Sequence, residues 1–350
     1  MTEVIVVDPL RPDPAAIVRA AACLRRGGLV AFPTETVYGL GAHALDRAAV
    51  ARVFEAKGRP GSDPLIVHVA ALEDATPLVT RMPDAARALA ARFWPGPLTL
   101  VLARAAIVPA EVTAGLDTVA IRVPAHPVAR ALLDAARLPV AAPSANLFSR
   151  PSPTRAAHVI EDLEGRIDMV LDAGPTPVGV ESTVLDLTQD PPVVLRPGAV
   201  PLEALRAVVP SVRLRSSHAP AGGAMPSPGL LERHYAPWTP MTLYDGDPAQ
   251  SRAALLQAVT DALAAGRRVG LLTTSEQAHR FRHLPVVIAE LGSERDAAQI
   301  AARLYAALRE LDAAQLDMIV AQSPEADEGL WRAIRDRLRR AATRVVGSRQ

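Results

Sequence analysis

The chain has 350 residues, 49% of them apolar, a formal net charge of +1 and a single cysteine. That length predicts two domains, the near-neutral charge excludes nucleic-acid binding through bulk charge, and no apolar run is long enough to span a bilayer. Cys23 alone makes neither an internal disulfide nor a cysteine zinc cluster, and no basic, then apolar, leader follows Met1, so the expected compartment is the cytoplasm.

Asp13 and Pro14 open a helix with Ile17, Ala21 and Leu24 on one face, and Gly27 and Gly28 close it. A buried strand over 29–32 runs into Pro33, Thr34, Glu35, Thr36, Val37, Tyr38, Gly39, Leu40 and Gly41. This stretch reads as a loop after a strand end, where α/β proteins bind ligands, and a plain connecting loop fits it equally. Asp46 then caps a helix with Val50, Val53 and Phe54 inward, ending at Lys57 and Gly58. Lys57 is the only lysine among 38 Lys and Arg residues. Its ammonium is a compact point charge that a planar guanidinium does not replace. Arg59 follows, Pro60 keeps the helix from continuing, and both cations fall in a turn before a strand over 65–69, where His68 shares a face with Ile66. A lone histidine in such a strand is a core residue or, just after a Lys-x-Arg turn, part of a polar pocket.

A helix over 84–93 is broken by Trp94, Pro95, Gly96 and Pro97, which feed a strand over 98–102. The strand expected over 118–123 contains Arg122, which either faces solvent or meets an anion. Val140, Ala141 and Ala142 lead into Pro143, Ser144, Ala145 and Asn146, and residues 150–154 cap a helix with Ala157, Ile160 and Leu163 inward. Strands follow over 169–171, 183–187 and 193–195. Short strands with few long helices predict a mixed sheet.

Residues 211–240 are rich in Pro, Gly and Ser and read as a linker, although its end, from Glu232 to Trp238, is too polar and aromatic for an inert spacer. From 241 onward strands and helices alternate as in a doubly wound α/β domain, with Ile300, Leu304, Leu308 and Leu311 on the buried face of one helix. This half shows no Gly-x-Gly-x-x-Gly and no cluster of titratable residues. Arg335, Arg337, Arg339, Arg340 and Arg344 make its last helix basic, which reads as a solvated face.

The chain has no P-loop, no Gly-x-Ser-x-Gly, no His-Glu-x-x-His and no Cys-His pair. Lys57, Arg59, Arg122 and Arg196, if brought together, would hold a polyanion. What remains is electrostatic catalysis on phosphate, with Mg²⁺ brought by the nucleotide.

The stretches 32–41, 57–60, 64–68, 94–99, 142–146 and 181–183, with Lys-x-Arg at 57–59 and Ser-x-Asn at 144–146, resemble the threonylcarbamoyl-AMP synthase family of YrdC type. The match covers residues 5–210 in order, and Ser227, Pro228 and Gly229 with His234, Tyr235, Ala236 and Pro237 are similar to the linker of its long form. The resemblance implies an α/β architecture in three parts. Residues 1–210 would be a YrdC-like catalytic domain, a twisted mixed sheet with helices similar to a double-stranded-RNA-binding fold. Residues 211–240 would be a linker closing over the active site, and 241–350 a smaller Rossmann-like domain.

It also implies a nucleotidyltransferase that converts L-threonine, bicarbonate or CO₂, and ATP into L-threonylcarbamoyl-AMP and pyrophosphate. The product would pass to a downstream transferase that modifies the tRNA adenosine beside the anticodon, without stable nucleic-acid or membrane binding by this chain. By the resemblance, Thr36, His68, Arg122, the backbone at Ala142 and Ser182 hold threonine. ATP meets Lys57, Arg59, Asp63, Thr118, Ser144, Asn146, Ser152, Arg196 and His234, with Lys57 and Arg59 catalytic. No protein-bound metal is expected beyond Mg²⁺ carried with ATP. Asp63 departs from the family's usual Asn, adding a negative charge beside the phosphates. Replacing Lys57 by Ala is expected to lower turnover with the fold intact. Two other readings fit less of the chain: a non-enzymatic RNA-binding module, and a carbamoyl-transfer enzyme of hydrogenase maturation, whose cysteine zinc motifs are missing here.

Overall fold

The computed structural model describes residues 1–215, 225–231 and 233–347. The chain divides into two units, Met1–Phe148 with Ser152–Leu230, and Ser149–Pro151 with Leu231–Gln350. Among the described residues no helix is long and apolar enough to cross a membrane.

The first unit contains β1 (Glu3–Val6), α1 (Pro14–Arg25), β2 (Val30–Pro33), β3 (Tyr38–His43), α2 (Arg47–Lys57), β4 (Ile66–His68), α3 (Leu72–Ala75), α4 (Asp84–Phe93), β5 (Leu98–Ala103) and β6 (Thr118–Arg122). It continues through α5 (Pro127–Ala136), β7 (Val140–Ala141), α6 (Ala156–Leu163), β8 (Met169–Asp172), β9 (Thr183–Asp186), β10 (Val193–Arg196), α7 (Leu202–Arg206) and β11 (Arg213–Leu214). The strands form one eleven-stranded sheet in the order β1-β8-β2-β3-β7-β4-β6-β5-β9-β10-β11, with parallel and antiparallel neighbours, as the short strands predict.

Because side chains alternate across a strand, each strand feeds two faces. One face buries Ala31, Leu40, Val67, Leu100 and Ile121 with side chains of α2, α4 and α6 in a single core that runs across the sheet. On the other face, α1 and α5 cover only the β1-to-β7 side, packing Ile17, Leu24 and Leu132 on Val30, Phe32 and Val140. Over β4, β6, β5, β9 and β10 this second face carries a small cluster of Ile66, Val101, Ala120, Val184 and Leu195, completed by Leu230 and Met225 from the linker rather than by a helix. Ile66 and His68 share this face as their spacing requires.

The stretch after β2 is not a loop. It turns at 34–37 and returns as β3 in an antiparallel hairpin, Val30 opposite Gly41 and Phe32 opposite Gly39. A Cβ on Gly41 would lie 2.8 Å from the Phe32 ring and 2.9 Å from Val140, so the glycine is a packing requirement. The helix after residue 154 is α6; Leu163 is buried and Ile160 packs against the core as expected, while Ala156 and Val159 are buried and Ala157 is exposed. The centre of the inward stripe is therefore turned toward Ala156 and Val159. The amphipathic α5, with Val128, Leu132 and Leu133 buried, was not foreseen.

The second unit holds β12 (Met241–Tyr244), α8 (Pro248–Ala264), β13 (Val269–Thr273), α9 (Ser275–Ala278), β14 (Val287–Glu290), α10 (Ala297–Ala313), β15 (Met318–Gln322), α11 (Gly329–Ala341) and β16 (Arg344–Val346). Its five strands are all parallel in the order β14-β13-β15-β12-β16, a doubly wound sheet with one more strand, β16, than the sequence suggested. Ile300, Leu304, Leu308 and Leu311 are buried as expected. The last helix corrects another expectation. Arg337 is 1% exposed, with its guanidinium over the Tyr235 ring and paired with Asp336, while Arg335 and Arg339 both pair with the buried Asp245. Its cations are largely neutralised and packed rather than a free basic face.

Candidate active site

The face of the first unit's sheet that no helix covers is where the candidate residues gather. His68 and Arg122 are register partners on β4 and β6. Arg122 is fixed from three directions, its Nε donating to Gly96 O (3.2 Å), Nη1 to Thr36 Oγ1 (3.0 Å), and Nη2 pairing with Glu35 Oε1 (2.7 Å). Thr36 in turn shares a 2.8 Å hydrogen bond with Thr34 Oγ1, so the hairpin turn fixes the hydroxyl that meets the guanidinium. The Ala142 N–H is taken by Ile66 O (2.9 Å), tying β7 to this edge of the site. Burial, reinforced by the Arg122 charge, pushes His68 down to about 3, so its ring is neutral at ordinary pH. Burial acts to raise Glu35, but the neighbouring Arg122 outweighs it and holds the carboxyl below its ordinary value.

A second group is built on cations. Lys57, at the last turn of α2, is 2% exposed and donates from Nζ to the carbonyls of Ser144 and Asn146, both at 2.5 Å. Arg59 donates from Nε to Asp63 O (3.1 Å) and from Nη2 to Pro64 O (2.8 Å), and pairs with the Asp63 carboxylate at 2.9 Å. Arg196 donates from Nη2 to Ser182 O (3.0 Å) and Oγ (3.2 Å), and from Nη1 to Pro228 O (3.2 Å). Burial drives Lys57 well below its ordinary value, helped by the Arg59 charge. Burial also raises Asp63, against the pull of Arg59, Lys57 and Arg196, so these four charges sense one another.

Strict alternation would point Arg196 into the helix-covered core, because its neighbour Leu195 faces the other way. The β9–β10 ladder instead slips between Val194 and Arg196, so that Val194 faces Leu185 and Arg196 faces Val184. This bulge inserts Leu195 as an extra residue and re-aims Arg196 to the open face.

Residues 22–198 match the family described as "Telomere recombination", and residues 200–343 match the C-terminal domain of threonylcarbamoyl-AMP synthase. Threonylcarbamoyl-AMP synthase of Pyrococcus abyssi is 44% identical over 325 residues, 92% of this chain and 93% of that protein. The Bacillus subtilis enzyme of the same name is 44% identical over 338 residues, 96% of each. A crystal structure of P. abyssi Sua5 complexed with L-threonine aligns with a TM-score of 0.92 at 42% identity, covering 99% of this chain and all 100% of that one. The chain belongs to the threonylcarbamoyl-AMP synthase family.

Of the residues that the threonylcarbamoyl-AMP synthase resemblance singles out, the first unit brings together Thr36, His68, Arg122 and Ala142 in one group and Lys57, Arg59, Asp63, Ser144, Asn146 and Arg196 in another, and Ser182, which the resemblance assigns to threonine, is held by Arg196 of the second group. Ser182 Oγ also meets Thr99 Oγ1 at 2.7 Å. Ser152 is buried and donates to Glu181 Oε1 (2.6 Å). Thr118 opens β6, partly exposed. His234 belongs to the second unit, its N–H donating to Arg340 O (3.0 Å) and its ring edge-on to Tyr235 at 4.0 Å. Sequence reasoning gave no role to Glu35 and Glu181, the carboxylates beside Arg122 and Ser152. Both stand inside stretches quoted for the resemblance, which was the available signal. Glu232, in the stretch judged too polar for a spacer, lies outside the described residues.

Proposed function

We infer that this chain is an L-threonylcarbamoyladenylate synthase, joining L-threonine, bicarbonate or CO₂, and ATP to give L-threonylcarbamoyl-AMP and pyrophosphate. The observation that carries the reading is the open sheet face. Its neutral, hydroxyl-bearing half around Thr36 and Arg122 suits an amino acid, and its cationic half around Lys57, Arg59 and Arg196 suits a triphosphate.

In this reading the threonine carboxylate docks at Arg122, whose guanidinium is already oriented by Gly96, Thr36 and Glu35. Orientation in advance lowers the cost of holding the anion. The uncharged His68 ring offers a hydrogen bond without repelling the ammonium of threonine. Once the ammonium has given a proton to solvent, the amine adds to CO₂ with release of a second proton, or to bicarbonate with loss of water, and an oxygen of the resulting carbamate attacks the α-phosphorus as its bond to the β-phosphate oxygen breaks. Nucleophile and electrophile are both anionic, so Arg59 and Arg196 screen their repulsion and stabilise the departing pyrophosphate. Lys57 shapes the phosphate loop by holding the carbonyls of Ser144 and Asn146, and Ser152 and Thr118 complete the first unit's ATP contacts.

Among the described residues no three or more of His, Cys, Asp and Glu gather into a metal-holding group, and the carboxylate in the cationic half, Asp63, is paired with Arg59. The donor set does not fit a resident metal, and Mg²⁺ enters as part of the MgATP substrate. The linker segment bearing Met225, Pro228 and Leu230 packs on the same face and accepts a hydrogen bond from Arg196, which supports its role as a cover for the site. The compartment is the cytoplasm, and the adenylate passes to a separate tRNA-modifying transferase.

The test is pyrophosphate release from MgATP with threonine and bicarbonate supplied together and omitted in turn. Release that needs both is the expected result. Release with threonine alone in carbonate-depleted buffer would mean plain amino-acid activation, and no release would favour the RNA-binding reading.

A further inference from the structure

The second unit has a crevice of its own. In its sheet order β13 and β15 are neighbours, yet β13 continues through α9 to β14 on one side and β15 continues through α11 to β16 on the other. Adjacent strands that leave in opposite directions open a gap beyond their carboxyl ends, the position where doubly wound sheets bind ligands. A cleft of about 570 Å³ lies there, lined by Thr273 and Thr274 at the end of β13 and by Gln322 and Ser323 at the end of β15. Its size falls within the roughly 300–1,000 Å³ usual for small-molecule sites.

The walls differ in character. Trp331, Ile334 and Leu338 of α11, with Ile300 of α10, make an apolar side. The lining also carries three guanidinium groups, Arg252, Arg280 and Arg295, and two carboxylates, Glu294 and Glu325. Arg252 Nε, Thr274 Oγ1 and Gln277 Oε1 are buried without a hydrogen-bond partner among the described residues. Buried polar atoms are rarely left unsatisfied, and three on the lining of one cleft point to a ligand that supplies the partners.

We propose that this crevice is a second ligand site, distinct from the first unit's open face, and that it takes a nucleotide. The base stacks on Trp331, the phosphates meet Arg252 and Arg280, and the ribose or base edge satisfies Thr274 and Gln277. An aromatic platform beside unpaired guanidinium groups suits a planar ring carrying phosphate.

The chain has three tryptophans, Trp94, Trp238 and Trp331, so its indole N–H signals form a three-line ¹⁵N spectrum. The Trp331 line is assigned by its loss in Trp331→Phe. Titrating ADP into the full-length protein should move that line saturably, and Arg196→Ala, which damages the first unit's site, should leave the response in place. Arg252→Ala should weaken it by about tenfold, the order expected for one lost charge-assisted contact. Should Arg252→Ala fail to fold, Arg280→Ala, whose side chain is exposed, serves the same purpose. A Trp331 line unmoved by millimolar ADP overturns the proposal. So does a response lost in Arg196→Ala, or one reproduced in full by inorganic phosphate alone, which would mark a simple anion site.

Discussion

At the scale of single residues, the site is held by charges that have given up water for fixed partners. His68 has the clearest consequence. Unfolded, it takes up a proton near 6.5, and folded only near 3. Between those values the unfolded chain binds more protons, so the contribution is fully present above 6.5 and is lost as pH falls toward 3, at about 1.4 kcal/mol per pH unit. Glu35, held below its ordinary 4.5 by Arg122 against the burial that would raise it, adds a loss of the same sign below 4.5. Urea unfolding at a series of pH values should show this acid slope between pH 6 and 4.5, and His68→Gln should flatten it. Lys57 has a different lesson. Its Nζ is committed to two carbonyls of the loop at 144–146, so Lys57→Met, which keeps the stem and deletes the donor, should cost about 1–3 kcal/mol of stability. It should also lower turnover by roughly ten- to a hundredfold. The fold itself is expected to stay intact, as the sequence suggested, with a lowered denaturation midpoint, and a midpoint equal to that of the unaltered chain would remove the stabilising role of these two hydrogen bonds.

Elements show why some of the site could be read from sequence and some could not. The Lys-x-Arg turn, the shared face of Ile66 and His68, and Arg122 inside a strand are local patterns, and alternation along a strand needs no knowledge of its neighbours. The hairpin of β2 and β3 and the buried face of α6 depend on tertiary packing: Gly39 and Gly41 signal a loop until Phe32 and Val140 are seen pressing on the position of Gly41. The bulge at Leu195 is invisible in the sequence, because its only trace is a slipped ladder with β9. The turn after it is equally tight. A Cβ on Gly198 would sit 2.3 Å from Thr183 N and 2.4 Å from Ser182 C, so Gly198→Ala must push the backbone that carries Ser182. We expect about 1–3 kcal/mol of destabilisation, with ATP affinity falling alongside it because Arg196 is held by Ser182. Urea unfolding checks the first, and calorimetric titration of ATP into a variant still folded at 25 °C checks the second.

For the molecule as a whole, the linker is part of the first unit's architecture, since Leu230 and Met225 finish its open-face cluster and Pro228 accepts from Arg196. A chain ending near Arg215, which lacks the linker and the second unit, should still unfold cooperatively yet lose most pyrophosphate release, and full activity in such a chain would remove the linker from catalysis. The resemblance covered residues 5–210 and the linker, and the second half read as chemically silent, because the residues of the cleft at the β13–β15 switch point are scattered and converge only through the order of the strands.

One further property follows from how the second unit is assembled. It takes Ser149–Pro151 from the middle of the chain. Arg150 pairs there with Asp312, which is 4% exposed along its side chain and also accepts from the Trp238 and Thr239 amides, while Arg309 donates to Pro151 O at 2.6 Å. A gene spliced once, at the linker, would carry Asp312 into its new setting but leave its guanidinium behind, stranding a buried carboxylate. Exchange of the second unit between proteins by a single splice therefore costs stability that transfer together with the tripeptide encoded some eighty codons upstream avoids.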